Sequence, residues 1–153
     1  MASLVIVPFA PMHYVTAAVG TFPYLSVQAT AESLARNGPA FTGLIDGTVA
    51  TVAGLQHFPW PGVAEAWAIV TPIGRQHGLV VSRQVARHLG RLIHAHDYRR
   101  VQADVVAAFT VGRVWVEWLG FTLESIMVGY GPEGVDMARY VWLRPPAAAM
   151  RAA

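Results

Sequence analysis

A chain of 153 residues, 54% hydrophobic and 13% charged, falls in the size range of one domain and is too apolar to stay disordered. The absence of cysteine excludes a disulfide framework, a thiolate nucleophile and a zinc–thiolate site, and suits a reducing compartment, with the cytoplasm as the expected location. The eleven basic residues are all arginine, and their formal balance of +2 is too small to argue for DNA, although guanidinium groups suit bidentate phosphate contacts.

The N-terminal stretch MASLVIVPFAPM has no basic residue before Arg36 and is broken by Pro8 and Pro11, so it reads as a first strand and not as a signal peptide. No run reaches the roughly 18 uninterrupted apolar residues of a membrane-spanning helix. A soluble protein with no membrane partner is expected, and its thin charged coat leaves room for a homodimer surface.

In chain order, Leu4 to Phe9 is a β-branched run closed by proline, Met12 to Val19 makes one or two helical turns, and Val27 to Arg36 has helical spacing stopped by Asn37-Gly38. Phe41 to Ile45 and Thr48 to Leu55 flank Asp46-Gly47, a strong two-residue hairpin signal. After a Pro-rich turn, Val63 to Val70 is a further strand, and a long glycine-containing loop follows. Val81, Val85, Leu89, Leu92 and Ile93 recur at helical spacing through His96, with Arg83, Arg87 and Arg91 on another face. Val101 to Ala107 is a strand, Phe109 to Leu119 a helix stopped by Gly120, and Phe121 to Tyr130 pairs with Met137 to Leu143. Residues 1–144 are expected to form a single domain, with 145–153 as a flexible tail.

Three local patterns add to this order. The first is Val70-Thr71-Pro72-Ile73-Gly74-Arg75-Gln76-His77-Gly78-Leu79-Val80, the second Trp115-Val116-Glu117-Trp118-Leu119-Gly120-Phe121, and the third Phe121 to Tyr140 with Glu124, Tyr130, Gly134 and Asp136. From Leu4 to Leu143 the chain resembles the GNAT acetyltransferase superfamily, including members encoded by phages. The resemblance implies an α/β fold with a mixed, mostly antiparallel central sheet flanked by helices. It also implies an acetyl-CoA (or other acyl-CoA) cleft and an amine acceptor.

In the first pattern Arg75 and Gly78 match the superfamily's pyrophosphate loop, Arg/Gln-x-x-Gly-x-Gly/Ala. Val70, Arg75, Gln76, His77, Gly78, Leu79 and Val80 are therefore the implied cofactor-binding residues. Backbone N–H groups at a helix N-terminus converge on a phosphate there, and glycine lets it come close. Val80 departs from the pattern with a branched side chain. In a second register Ser82 is the N-cap and Gln76 to Val81 is a plain connecting loop. In the second pattern the superfamily's acid, a tyrosine, falls on Val116 and its upstream asparagine on Phe109, so neither polar group is present.

Glu65 interrupts the apolar strand Val63 to Val70 and is the candidate catalytic base, the alternative being an exposed carboxylate at a strand start. His57 and Trp60, in the turn before that strand, are candidates for acceptor binding or for an exposed histidine and a packed indole. His88, His94 and His96 show no His-Glu-x-x-His spacing, so no metal is expected. The arginines at 83, 87 and 91 either meet a phosphate or nucleic-acid backbone or form a solvated face. Acyl transfer from acyl-CoA to an amine by direct attack in a ternary complex is the expected function. The rivals are a catalytically silent, binding or virion-associated module and a nucleic-acid-binding protein.

Overall fold

Asp46 and Gly47 carry φ values of 49° and 76°, the paired left-handed conformation of a tight hairpin turn. They join strand β2 (Ala40–Ile45) to β3 (Thr48–His57), whose register opens at Ile45↔Thr48. The computed structural model describes residues 3–18 and 27–146. The expectations for Val19 and for the tail beyond residue 146 lie outside these residues.

The other strands are β1 (Leu4–Pro8), β4 (Val63–Val70), β5 (Arg100–Val106), β6 (Thr122–Met127) and β7 (Met137–Leu143). The helices are α1 (Pro11–Ala17), α2 (Val27–Arg36), α3 (Pro72–Gln76), α4 (Gly78–Ala95) and α5 (Thr110–Trp118). The strand order is β1-β2-β3-β4-β5-β7-β6. The β4–β5 ladder is parallel, and those of β1–β2, β2–β3, β5–β7 and β6–β7 are antiparallel. The expected mixed, mostly antiparallel sheet flanked by helices is the architecture found.

The chain divides into two compact units, Met1–His57 with Ala66–Ala95, and Phe58–Glu65 with His96–Ala153. In the first, neighbouring residues of β2 serve opposite faces, as strand alternation requires. Phe41 packs on His88 of α4, with ring centroids 5.4 Å apart. The Thr42 hydroxyl meets His13 Nδ1 of α1 at 2.8 Å, and the same nitrogen accepts the Ala10 N–H. Since Nδ1 accepts, the proton of the neutral ring sits on Nε2. On the α1 side Tyr14, Ala31, Leu34 and Val52 form a core against which Trp67 packs. On the other side α4 buries Val81, Val85, Leu89 and Ile93, four of the five positions its periodicity singled out, and exposes the three arginines.

In the second unit α5 covers one face of β7. Tyr140 is fully buried there, and its hydroxyl donates to Glu117 and accepts from Arg113, both at 3.0 Å. Gly120, at φ 102°, ends α5 as expected. A register shift between Leu123 and Ser125 leaves Glu124 as the extra residue of β6.

One expectation needs correction, and one of two alternatives is excluded. The stretch after β4 is not one long loop, because Thr71 caps a short helix over Pro72–Gln76 and α4 follows at once. The register with Ser82 as N-cap does not occur. The Val81 N–H already bonds the His77 carbonyl at 3.1 Å, so Ser82 sits inside α4.

Candidate functional site

The residues from Val70 to Val80 form a continuous path in the first unit. Val70 ends β4, Arg75 and Gln76 are exposed in the last turn of α3, and His77 links that turn to Gly78, Leu79 and Val80 at the head of α4. Thr71 fixes the path to β3. Its N–H donates to the Ala50 carbonyl at 3.0 Å, its hydroxyl donates to the Val49 carbonyl at 2.8 Å, and its side-chain oxygen accepts the Gly74 N–H at 3.3 Å. A Cβ on Gly74 would overlap the Ala50 carbonyl oxygen, so only glycine lets α3 lie this close to β3.

The first hydrogen bond within α4 is made by Val81, so the N–H groups of Gly78, Leu79 and Val80 precede the helical ladder. A Cβ on Gly78 would meet nothing within 4 Å. The protein thus leaves open space at Gly78, at the positive end of an 18-residue helix. Val80 is partly exposed and stands in the same turn.

Glu65 lies in the second unit, at the end of the parallel ladder Val63↔Arg100, Ala64↔Val101, Glu65↔Gln102. It is half-buried. Gln102 and Asp104 are alternate residues of β5 and share a face, and Asp104 pairs across with Arg139 of β7. The Arg139 guanidinium holds Asp104 through two bonds of 2.9 and 2.8 Å. Arg100 holds Glu124 through two bonds of 2.7 Å and donates to Gln102 at 3.2 Å. Two arginines thus neutralise two carboxylates, and Glu65 takes no part in these pairs.

Burial pushes the Glu65 carboxyl above the ordinary glutamate range, the Asp104 charge adds to the rise, and Arg139 opposes it. The hydrogen bond from Arg100 holds Glu124 below its usual value. His57 is the exposed last residue of β3, its N–H bonded to the Asn37 carbonyl at 2.7 Å. Trp60 belongs to the second unit, is 53% exposed and packs on Phe58 at 5.2 Å. Val116 is buried in α5. Among the described residues no three or more of His, Asp and Glu gather as a metal site, and no helix is long and apolar enough to cross a membrane.

Thr71, Gly74, Asp104 and Arg139 are absent from the residues expected from the sequence. The signals were modest: a threonine before proline, and one charge within each of the runs VQADVV and MARYVW.

No family model and no curated protein matches the sequence. Solved structures do match. The ribosomal-protein-S18-alanine N-acetyltransferase of Escherichia coli superposes with a TM-score of 0.76 at 20% identity, over 95% of this chain and 96% of its own. An acetyltransferase of the GNAT family from Streptococcus pneumoniae gives 0.70 at 12% identity, over 94% and 100%. A Salmonella typhimurium protein solved with its cofactor acetyl-CoA gives 0.73 at 14%, over 94% and 98%. This chain has the GNAT fold. The identities are low enough that fold is all these likenesses show.

Proposed function

We propose that this protein transfers an acetyl or other short acyl group from acyl-CoA to an amine, with Glu65 as the base. The observation that carries this reading is the half-buried Glu65 carboxylate, left out of the ion pairs beside it and raised in proton affinity by burial. Such a group suits an amine proton, because its pKa moves toward that of the group it must deprotonate. On this reading residues 1–144 act as one catalytic domain.

The donors at Gly78, Leu79 and Val80, with the open space at Gly78, fit a pyrophosphate, and Arg75, exposed in α3, adds a cation. Val70, Gln76 and His77 complete the cofactor path. His57 and Trp60 are the acceptor-side candidates, with the exposed indole offering an aromatic wall.

Acyl-CoA supplies the thioester. The amine nitrogen forms the new C–N bond, its proton passes to the Glu65 carboxylate, and the C–S bond breaks to release a thiolate that takes its proton from water. Glu65 then returns its proton to solvent. Val116 is buried and aliphatic and cannot serve as the departing thiolate's acid. This also supports a second reading, an acyl-CoA-binding module without turnover. A thiol-release assay with acetyl-CoA and a panel of amines separates the two: release above the hydrolytic background supports transfer, and saturable binding without release supports the silent module.

Val80→Gly tests the cofactor path. Freeing the first turn of α4 from a branched side chain is expected to tighten acetyl-CoA binding by roughly one to two decades, the equivalent of one regained backbone–phosphate bond. Unchanged affinity in a folded variant would place the phosphates elsewhere.

A further inference from the structure

We propose that the Asp104–Arg139 ion pair is a positioning element that balances the charge felt by Glu65, its two halves acting on that carboxylate in opposite senses. Asp104 follows Gln102 by two residues on β5, and Gln102 lies directly opposite Glu65, so all three side chains belong to one face. Asp104 is clamped at both oxygens by Arg139, and its side chain is only 10% exposed. The pair is therefore fixed on the face that Glu65 shares, and both of its charges act on that carboxyl.

The other charges on β5 and β6, Arg100 and Glu124, are matched to each other through two 2.7 Å bonds, and Tyr130 lies 6.0 Å from the Arg139 guanidinium. Within β3 the only titratable residue is His57. Glu65 thus feels a carboxylate that favours its neutral form and a guanidinium that favours its ionised form, held as one unit. Asp104 and Arg139 act through Glu65 and have no role at the reacting atoms themselves. The catalytic consequence rests on the acyl-transfer reading above, whereas the electrostatic claim does not.

The test is a carboxyl-carbon NMR titration of the whole chain labelled at glutamate. The chain has glutamates only at 32, 65, 117, 124 and 133, and the Glu65 signal is assigned by its loss in Glu65→Gln. In Asp104→Asn the Glu65 midpoint is expected to fall, because Arg139 is left uncompensated. In Arg139→Gln it is expected to rise, because Asp104 is. Arg139→Lys keeps the charge, and Asp104→Asn with Arg139→Gln removes both, so these two should titrate near the wild type. Should Arg139→Gln not fold, the fall in Asp104→Asn and its absence in Arg139→Lys still decide the matter. A midpoint that stays put, or that moves the same way in both single variants, overturns the proposal. The pH profile of thiol release is then read beside the titration. If the midpoints move as stated and the acid limb of the profile does not follow, the ion pair acts on Glu65 but Glu65 is not the base.

Discussion

Glu65→Gln is expected to lower turnover roughly 100-fold or more, the scale of a lost general base, while acetyl-CoA affinity stays at its wild-type value. The amide fills the same space on β4 but cannot take a proton from an amine. Wild-type turnover should rise with pH through the Glu65 midpoint, which burial and Asp104 place above the ordinary glutamate range. The stability effect has the opposite sign. A carboxyl whose folded pKa is raised contributes stability below its unfolded pKa, and that contribution is lost as pH rises through the folded value. Wild-type Glu65 is therefore a stability cost at neutral pH that the amide avoids. Glu65→Gln should melt no lower than the wild type near neutrality, and any advantage should fade in acid. Thermal melts at both pH values check this. Full turnover in the variant at every pH would make Glu65 a structural residue.

Gly74→Ala is expected to lower both stability and coenzyme binding, because it strikes where α3 packs on β3. The added methyl group would overlap the Ala50 carbonyl oxygen and come within 2.9 Å of Val70 Cγ1. The carbonyl belongs to the backbone of β3 and cannot swing away as a flexible side chain would. Overpacking of this kind costs about 1–3 kcal/mol or more, a drop in Tm on the order of 5 °C for a chain of this size. α3 leads directly into α4, so displacing it also moves the donors at Gly78, Leu79 and Val80, and acetyl-CoA binding should weaken with it. Gly78→Ala is the control. Its Cβ meets no protein atom within 4 Å, so the fold should keep its Tm, and any lost affinity would report the ligand's close approach.

The elements that could be read in advance are those whose causes are local. Asp46-Gly47 announces its hairpin because two residues in left-handed conformation are needed there. The apolar spacing of α4 announces its buried face for the same kind of reason. The start of α4 was ambiguous in sequence, because Ser82 is as good a cap as any residue near it. What decides it is the packing of Thr71 and Gly74 against β3, a contact more than 20 residues away along the chain. α3 is too short for periodicity to show.

The same holds for the surroundings of Glu65. A lone glutamate in an apolar strand was visible, and so were Asp104 within VQADVV and Arg139 within β7. Their joint meaning depends on the register Glu65↔Gln102 and Asp104↔Arg139, which is fixed by sheet pairing and not by the residues of any one strand. The exposed outer surface of α5, with Val111, Val114 and Trp118, likewise gives no sequence signal beyond the high apolar content of the chain.

Calorimetric titration of acetyl-CoA into the wild-type chain tests the central claim most directly, since the proposed acyl transfer depends on the chain being able to hold the coenzyme. Saturable binding with one molecule per chain is the result expected, tightened in Val80→Gly and weakened in Gly74→Ala. No heat of binding up to about 1 mM acetyl-CoA, the range of a free energy near −4 kcal/mol, would contradict it and leave the GNAT fold without its coenzyme.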